Sequence, residues 1–320
     1  MQVNKTCFNT IYEYNLNIKG QKMKKSKRLF LFAGFDKDNI IDDTVVYYIN
    51  ALSEFGDVIF IVDNNLPKSE LNKISKMPHV LYAKGLQHNE YDFGSYKRGY
   101  LWAQEHKILE KYDWLYLVND SVYGPLWNLR LILANLENSD ADMVGLTSNC
   151  DKSTPVHIQS WFVGFSKNVF MCDFFDKFMK KITHIPKKTS LVLKYEVGLS
   201  NIVIRNGFKY KVLISPEQNK IQEEPCSVLM QGVPFVKKNA VSKLRRLYFL
   251  YPYIDDDVLL DYITAHMKRH DIKLQDSVRN VYELRFCRIP LLRIVQKKSS
   301  GAYKVYLFNF IPVLRIFKNK

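Results

Sequence analysis

From residue 29 the chain alternates between unbroken apolar runs and segments in which apolar residues recur every three or four positions. The runs 29–34 (LFLFAG), 57–62 (DVIFIV), 79–83, 114–118 (WLYLV) and 143–146 predict buried strands, and 158–165 and 208–214 add two more. Between them the spacing predicts helices over 42–55, 67–77, 94–111, 126–136, 168–182 and 195–206. The first helix shows the logic. Asp42 and Asp43 stand at its start, Val45, Val46, Ile49 and Leu52 share one side, and Gly56 follows its end. Pro67 suits a first helical turn, and Gly207 suits a C-terminal stop.

Strands that are apolar throughout are buried on both faces. Alternating with amphipathic helices, they imply an α/β fold: a mostly parallel, Rossmann-type sheet covered on both sides. Ligands of such sheets bind beyond the carboxyl ends of the strands. The loops after the first, third and fourth strands are therefore where chemistry is expected. They hold Gly34-Phe35-Asp36, residues 89–97 and residues 119–124.

Composition narrows the class. The 320 residues are 47% hydrophobic and 25% charged, which fits a globular chain and excludes disorder or a fibrous repeat. No apolar run approaches the roughly 18 residues of a membrane span, and residues 1–20 have no apolar stretch of a secretory leader. Five widely spaced cysteines with no CxxC pair fit a reducing compartment rather than a zinc or disulfide framework.

The net charge of +15 is concentrated at the ends: +6 over residues 1–28 and +11 over 237–320, against −2 for the middle. Basic ends on a neutral body fit an anionic membrane surface better than a nucleic-acid cleft. Near the C-terminus, Arg288-Ile289-Pro290-Leu291-Leu292-Arg293-Ile294 recurs, slightly changed, as Phe310-Ile311-Pro312-Val313-Leu314-Arg315-Ile316, with lysines after each copy. Apolar clusters set among cations suit an interfacial segment. Packing on the domain, with solvated lysines, is the other reading. The aromatics do not alternate with the cations as a nucleic-acid stacking groove requires, so no nucleic-acid partner is expected. Residues 253–268, opened by three aspartates, predict a helix in a small helical extension.

Four segments could carry chemistry. In WLYLVNDSVYGP an apolar strand ends in Asn119-Asp120-Ser121. Its carboxylate could hold a divalent cation by hard oxygen ligation, or the residues could simply form an Asx-turn. In NEYDFGSYKRG, Asp92, Gly94, Ser95 and Lys97 lie near a helix start suited to an anion, where Asp92 or Ser95 could equally be a cap. Glu196 opens the helix over 195–206, as a general base or as an acid favourable to the helix dipole. In HIQSWFVGF, His157, Gln159, Ser160 and Trp161 offer polar groups and an aromatic plane to a sugar, or else pack in the core.

Together the pieces KRLFLFAGFD, NEYDFGSYKRG, YDWLYLVNDSVYGP, HIQSWFVGF and YEVGLSNIVIRNGF resemble the rhamnan synthesis protein F family. Its members are glycosyltransferase-like proteins of bacterial surface-polysaccharide assembly. The resemblance covers about residues 27–235, with 1–26 as an extension and 236–320 as a basic region for the membrane surface. The order is also similar to the GT-A glycosyltransferase plan.

That resemblance implies transfer of a sugar, L-rhamnose from dTDP-rhamnose, onto a lipid-linked glycan at the inner membrane face. It implies donor contacts from Gly34, Asp36, Asn89, Asp92, Gly94, Ser95, Lys97, Asn119 and Ser121. Sugar or acceptor contacts fall to His157, Gln159, Ser160 and Trp161. Glu196 is the base of an inverting reaction, and Asp120 holds Mn2+ or Mg2+. Only one acid of the usual Asp-x-Asp pair is present. A weaker metal site, or its replacement by a cation such as Lys97, is implied. A non-catalytic scaffold and another nucleotide-dependent enzyme are the competing classes.

Overall fold

The computed structural model describes residues 26–150 and 154–245. Beyond these it describes 247, 249–250, 253–254 and 256–273, and the strands 278–286, 289–297, 303–307 and 311–316. The extension before Ser26, along with Cys7, Cys287, Arg288, Lys298, Lys318 and Lys320, lies outside the described residues. The chain divides into two compact units, with the boundary between Lys238 and Asn239.

In the first unit, strands β1 (Arg28–Gly34), β2 (Asp57–Val62), β3 (Val80–Gly85) and β4 (Trp114–Asn119) run parallel in the order β3-β2-β1-β4. A short β5 (Val122–Tyr123) follows. Then come β6 (Met143–Asn149), β7 (His157–Ile158), β8 (Phe162–Ser166) and β9 (Tyr210–Ile214). β8 joins β4 antiparallel, β6 joins β8 antiparallel, and β9 extends β6 in parallel. The sheet is therefore mixed and mostly parallel, as the unbroken apolar runs require.

Helices cover both faces. α1 (Asp43–Ser53) is capped by Asp42, whose carboxylate accepts from Thr44 N at 3.0 Å. α2 (Lys68–Ser75), α3 (Tyr91–Glu105), α4 (Arg130–Glu137), α5 (Lys167–Phe170) and α6 (Asp173–Lys180) follow. α7 (Lys188–Leu191) runs through a π-helical turn, Val192–Val197, into α8 (Gly198–Arg205). Alternate strand residues face opposite layers. Leu29, Leu31 and Ala33 join Ile59, Leu115, Tyr96 and Tyr100 in one core. Their neighbours Phe30, Phe32, Phe60 and Tyr116 form an aromatic layer with Tyr48 and Phe235 on the other face.

Three local departures from the pattern matter for the site. The expected strand over 158–165 is broken at 159–161, where the chain turns out of the sheet between β7 and β8. The helix expected over 168–182 is two, split at Met171-Cys172. Glu196 does not open a helix. It lies inside the π-helical turn, a full turn or more after the helix begins at Lys188. α7 was missed because Lys188, Thr189 and Ser190, three of its four residues, carry no apolar signal. Dipole stabilisation at a helix start therefore does not account for Glu196.

The second unit contains α9 (Val258–Arg269), within the expected helix. It also contains a four-stranded antiparallel meander that the sequence reading placed as helical or amphipathic extension. Its strands are β11 (Val278–Phe286), β12 (Ile289–Lys297), β13 (Tyr303–Leu307) and β14 (Ile311–Ile316). The two repeats are β12 and β14, on either side of β13. Proline explains why they are not helical, since within a helix it removes a hydrogen bond and clashes. Each repeat also makes the same irregularity. The register steps from Leu284↔Leu292 to Arg285↔Pro290, and from Val305↔Leu314 to Tyr306↔Pro312. Proline in sheets is confined to such edges and bulges. No helix among the described residues is long and apolar enough to cross a membrane.

Candidate active site

The carboxyl ends of β1 and β4 meet. Asp120 N donates to Ala33 O at 3.2 Å, and the Asp120 carboxylate accepts from Phe35 N at 3.1 Å. Gly34 has no room for more than a hydrogen. A Cβ there would lie 2.9 Å from Val62 Cγ1 and 3.5 Å from Asp120 Oδ2. The β1 loop is clamped by buried Asn64. Its Oδ1 accepts from Asp36 N at 2.8 Å, and its Nδ2 donates to Asp36 O at 2.6 Å. These groups line a shallow cleft with Val62, Asp120 and Lys238 on its walls. Phe35 stands at this cleft with 60% of its surface exposed.

Beside the cleft the chain gathers charges from four segments. Asn119 Nδ2 donates to Asp92 Oδ2 at 2.9 Å, and Asn119 Oδ1 accepts from Ser121 Oγ at 2.6 Å. Lys237 Nζ donates to the same Ser121 Oγ at 2.9 Å and lies 4.8 Å from the centre of the Trp161 ring. Lys237 comes from β10 (Val236–Lys237), which pairs antiparallel with β5. Burial and the nearby Asp120 push the Asp92 carboxyl up to about 7, against the pull of Lys237 and Lys188. Burial draws the Lys237 ammonium down to about 8, against the support of Glu196 and Asp92. Burial penalises each charged form, and the neighbouring charges offset only part of that cost.

Glu196 faces this cluster from the π-helical turn. Its Oε2 accepts from Ser160 N at 2.7 Å and from Ser160 Oγ at 2.5 Å. Its Oε1 lies 3.7 Å from His157 Nε2, and His157 Nδ1 donates to Pro155 O at 2.9 Å. Tyr96 OH donates to Ser160 O at 3.0 Å, which fixes the loop that fixes the acid. A carboxylate with one oxygen held by two donors and the other left beside a histidine ring is held in a fixed orientation, as a proton acceptor must be.

Other residues expected at the site are directed to protein partners. Ser95 is buried and bonded to His88 Nε2 at 3.0 Å. Glu90 N donates to His88 Nδ1 at 3.1 Å, so the ring proton is on Nε2 and points at the hydroxyl. This is the tautomer opposite to that of a nucleophile's base, although Asp63 completes a Ser-His-Asp set with its Oδ2 3.4 Å from Nδ1. Burial and Arg98 draw His88 down to about 4. A Cβ on Gly94 would meet Glu90 Cβ at 2.4 Å and His88 Nδ1 at 2.6 Å, so packing explains that glycine. Lys97 Nζ donates to Ile182 O at 2.7 Å. Asn89 sits at positive φ, its carbonyl bonded by His184. Gln159 Oε1 accepts from Thr147 Oγ1 at 2.7 Å and Asn219 Nδ2 at 2.9 Å. Trp161, 2% exposed, donates to Thr147 Oγ1 at 3.0 Å and packs on Phe235.

Sequence reasoning missed Asp63, Asn64, Lys237 and Lys238. Asp63-Asn64-Asn65 follows the second strand, a polar triplet at a strand end that the loop rule could have included. Nothing local marks the two lysines, which counted as part of the basic tail. Among the described residues no three His, Cys, Asp or Glu side chains gather as a ready metal cage. Asp120 and Asp92 do offer hard oxygens, and a divalent cation would relieve the repulsion between them. Mg2+ commonly uses one or two carboxylates completed by substrate phosphates, so the donor set fits such a cation.

Fold and site define an α/β protein whose mostly parallel sheet carries acids and lysines at its strand ends. Solved structures with which it aligns include the glycosyltransferase GlyE of Streptococcus pneumoniae. That match has 10% identity and a TM-score of 0.41, over 80% of this chain and 67% of the other. Another is core-mannan synthase A of Aspergillus fumigatus in an Mn/GDP form, with 11% identity and a TM-score of 0.34, over 59% and 73%. An uncharacterized protein of Sinorhizobium fredii, y4gN, is 26% identical over 168 residues, 52% of this chain and 43% of that protein. The chain thus spans less than half the length of that relative. The model of the family described as rhamnan synthesis protein F matches residues 58–286, more than half of the chain, and the protein belongs to that family.

Proposed function

We propose that the protein is a glycosyltransferase of surface-polysaccharide assembly. It moves a sugar, L-rhamnose from dTDP-rhamnose, onto a lipid-linked glycan with inversion. Family membership and the polar site at the strand ends support this reading. The observation that carries it is the hydrogen-bonded chain from buried Lys237 through Ser121 and Asn119 to Asp92 at the carboxyl end of β4, next to Asp120. The nucleoside would lie in the cleft of Gly34, Asp36 and Asn64, with its diphosphate at Asn119–Ser121 and its sugar toward Glu196.

Glu196 would accept the proton of the acceptor hydroxyl as that oxygen bonds to the anomeric carbon. The bond from that carbon to the phosphate oxygen breaks, and its electron pair leaves on the diphosphate. Ser160 holds Glu196 in place. A divalent cation held by Asp120 and Asp92 would neutralise charge on the leaving diphosphate. The basic second unit would keep the protein at the inner membrane face, near its acceptor.

The test is turnover. Full-length protein is incubated with dTDP-, UDP-, GDP- and CMP-sugars and a lipid-linked acceptor, with and without Mn2+, and nucleotide release is followed. Acceptor-dependent release from one donor class is the expected result. Binding without release from any donor would leave a non-catalytic partner protein in its place.

A further inference from the structure

Strand β10 and the helix that begins at the next residue bring two adjacent lysines to the end of β4. Its register is fixed by the Val236↔Tyr123 and Lys237↔Val122 pairs, and Lys238 N donates to Ser121 O at 3.0 Å. Lys237 goes to the side of Ser121 and Trp161, where the charge of Glu196 acts on it. Lys238, at the turn into the helix, lies 5.6 Å from the centre of the Tyr123 ring and lines the cleft with Gly34, Asp36, Asn64 and Asp120. One ammonium thus stands on each side of the Asp120 strand end.

Lys237 is a buried cation with donors to spare, although the charges of Glu196, Asp92 and Asp120 act on it. Its side chain is 8% exposed. An ammonium has three N–H donors, and among the described residues one of them makes a hydrogen bond, to Ser121 Oγ at 2.9 Å. Burying a charge with donors unused is costly unless something else satisfies them. Lys97, the cation expected for this role, is bonded to the carbonyl of Ile182.

We infer that Lys237 and Lys238 together grip the diphosphate of a nucleoside diphosphate-linked donor, Lys238 from the nucleoside side and Lys237 from the sugar side. The inference rests on the transferase reading and names the residues that meet the leaving group. Bridging anionic oxygens on both sides, the pair steadies the diphosphate as its charge grows. Ser121 is a positioning residue, acting through the Lys237 amine.

The experiment is equilibrium binding of dTDP, UDP, GDP, CDP and inorganic pyrophosphate to the full chain, by calorimetry, with and without Mn2+. Wild type is compared with Lys237→Met, Lys237→Arg and Lys238→Met. Charge-assisted contacts of this kind correspond to a loss of about ten- to hundredfold in affinity for each Met variant. Lys237→Arg should recover part of it, and affinity for the free nucleoside should not change. Wild-type affinity should also decline above pH 8, as Lys237 loses its proton, and this decline should vanish in Lys237→Met. Unchanged diphosphate affinity in Lys237→Met overturns the role of Lys237 while leaving the transferase reading intact. If that variant does not fold, a wild-type profile flat from pH 7 to 9.5 does the same, and unchanged affinity in Lys238→Met overturns the pair. A wild type that binds none of the nucleoside diphosphates overturns the transferase reading itself.

Discussion

The amine of Lys237 donates to the hydroxyl of Ser121 at 2.9 Å, across 116 residues of sequence. Through Ser121 it is tied to Asn119, and through Asn119 to Asp92. Three segments that are remote in the chain therefore act as one hydrogen-bonded unit at the carboxyl end of the central strand β4. A change at any of them is expected to be felt at the others.

Glu196→Gln keeps the size and both Ser160 contacts of the side chain but cannot take a proton. Transfer is expected to fall by about 10²–10⁴-fold, the usual worth of a positioned base. Nucleoside diphosphate affinity should stay within about twofold of wild type. Ser160→Ala should lower turnover with little effect on donor affinity. Full activity in the glutamine variant would remove Glu196 from the chemistry.

Asp120→Ala deletes the acceptor that holds Phe35 N and the acid at the strand end. Loss of a charged hydrogen-bond partner of this sort costs about 1.5–3 kcal/mol. Donor affinity, read by calorimetry, and any enhancement by Mn2+ should both drop. A variant that binds the donor as tightly as wild type, with the same Mn2+ response, would contradict this placement.

Asp92 sets a pH dependence of stability. Its folded-state carboxyl titrates at about 7, above its ordinary value of 3.8, so the folded protein binds this proton more readily than the unfolded chain does. Its contribution is therefore fully present below about pH 4 and is lost as pH rises through 7. Asp92→Asn, which cannot ionise, should gain stability relative to wild type at pH 8 compared with pH 5. Urea midpoints at the two pH values measure the difference, and equal gains at both would show that the carboxyl is not raised.

Tyr48 is fully buried between Phe32 and Phe235, and its hydroxyl has no hydrogen-bond partner among the described residues. Leaving such a group unpaired costs about 1–3 kcal/mol. Tyr48→Phe removes the hydroxyl and keeps the ring. It should raise the melting temperature by about 2–4 °C, which for a domain of this size corresponds to about 1 kcal/mol. A lower melting temperature would mean that the hydroxyl has a partner.

The C-terminal meander can be tested by deletion of residues 278–320. Sedimentation with vesicles containing anionic lipid should fall markedly, and at high salt the wild type should be released too. A truncated protein that still sediments would place membrane attachment elsewhere.

Much of the fold is legible in the chain because burial on both faces leaves a local mark. LFLFAG, DVIFIV and WLYLV could only be central strands, and Asp42 announces the start of α1 with its own hydrogen bond. The position of Asn119-Asp120-Ser121 was also legible, since polar residues that end an apolar strand stand where it leaves the sheet. Glu196 was singled out as an acid at the start of an amphipathic helix, and that setting was misread. A π-helical turn depends on backbone packing and has no periodic signature. The repeats in 289–316 looked like an interfacial segment, because sequence periodicity over six residues cannot separate a strand with proline near its start from a surface-seeking cluster.

Which side chains share the site was decided only in three dimensions. Ser95 and Lys97 lie within three positions of Asp92, yet both turn to protein partners, while Asp92 meets Asn119. Lys237 and Lys238 looked like the first residues of a basic tail, and a two-residue strand pairing with Val122 and Tyr123 brings them to Asp120 and Glu196. Residue patterns encode what each short segment must do to hide its apolar side from water. They do not encode which distant segments will then lie within 3 Å of one another, because that follows from the closure of the whole sheet and its helices. In this chain the apolar pattern dictated the scaffold, and tertiary packing chose the charges that face a ligand.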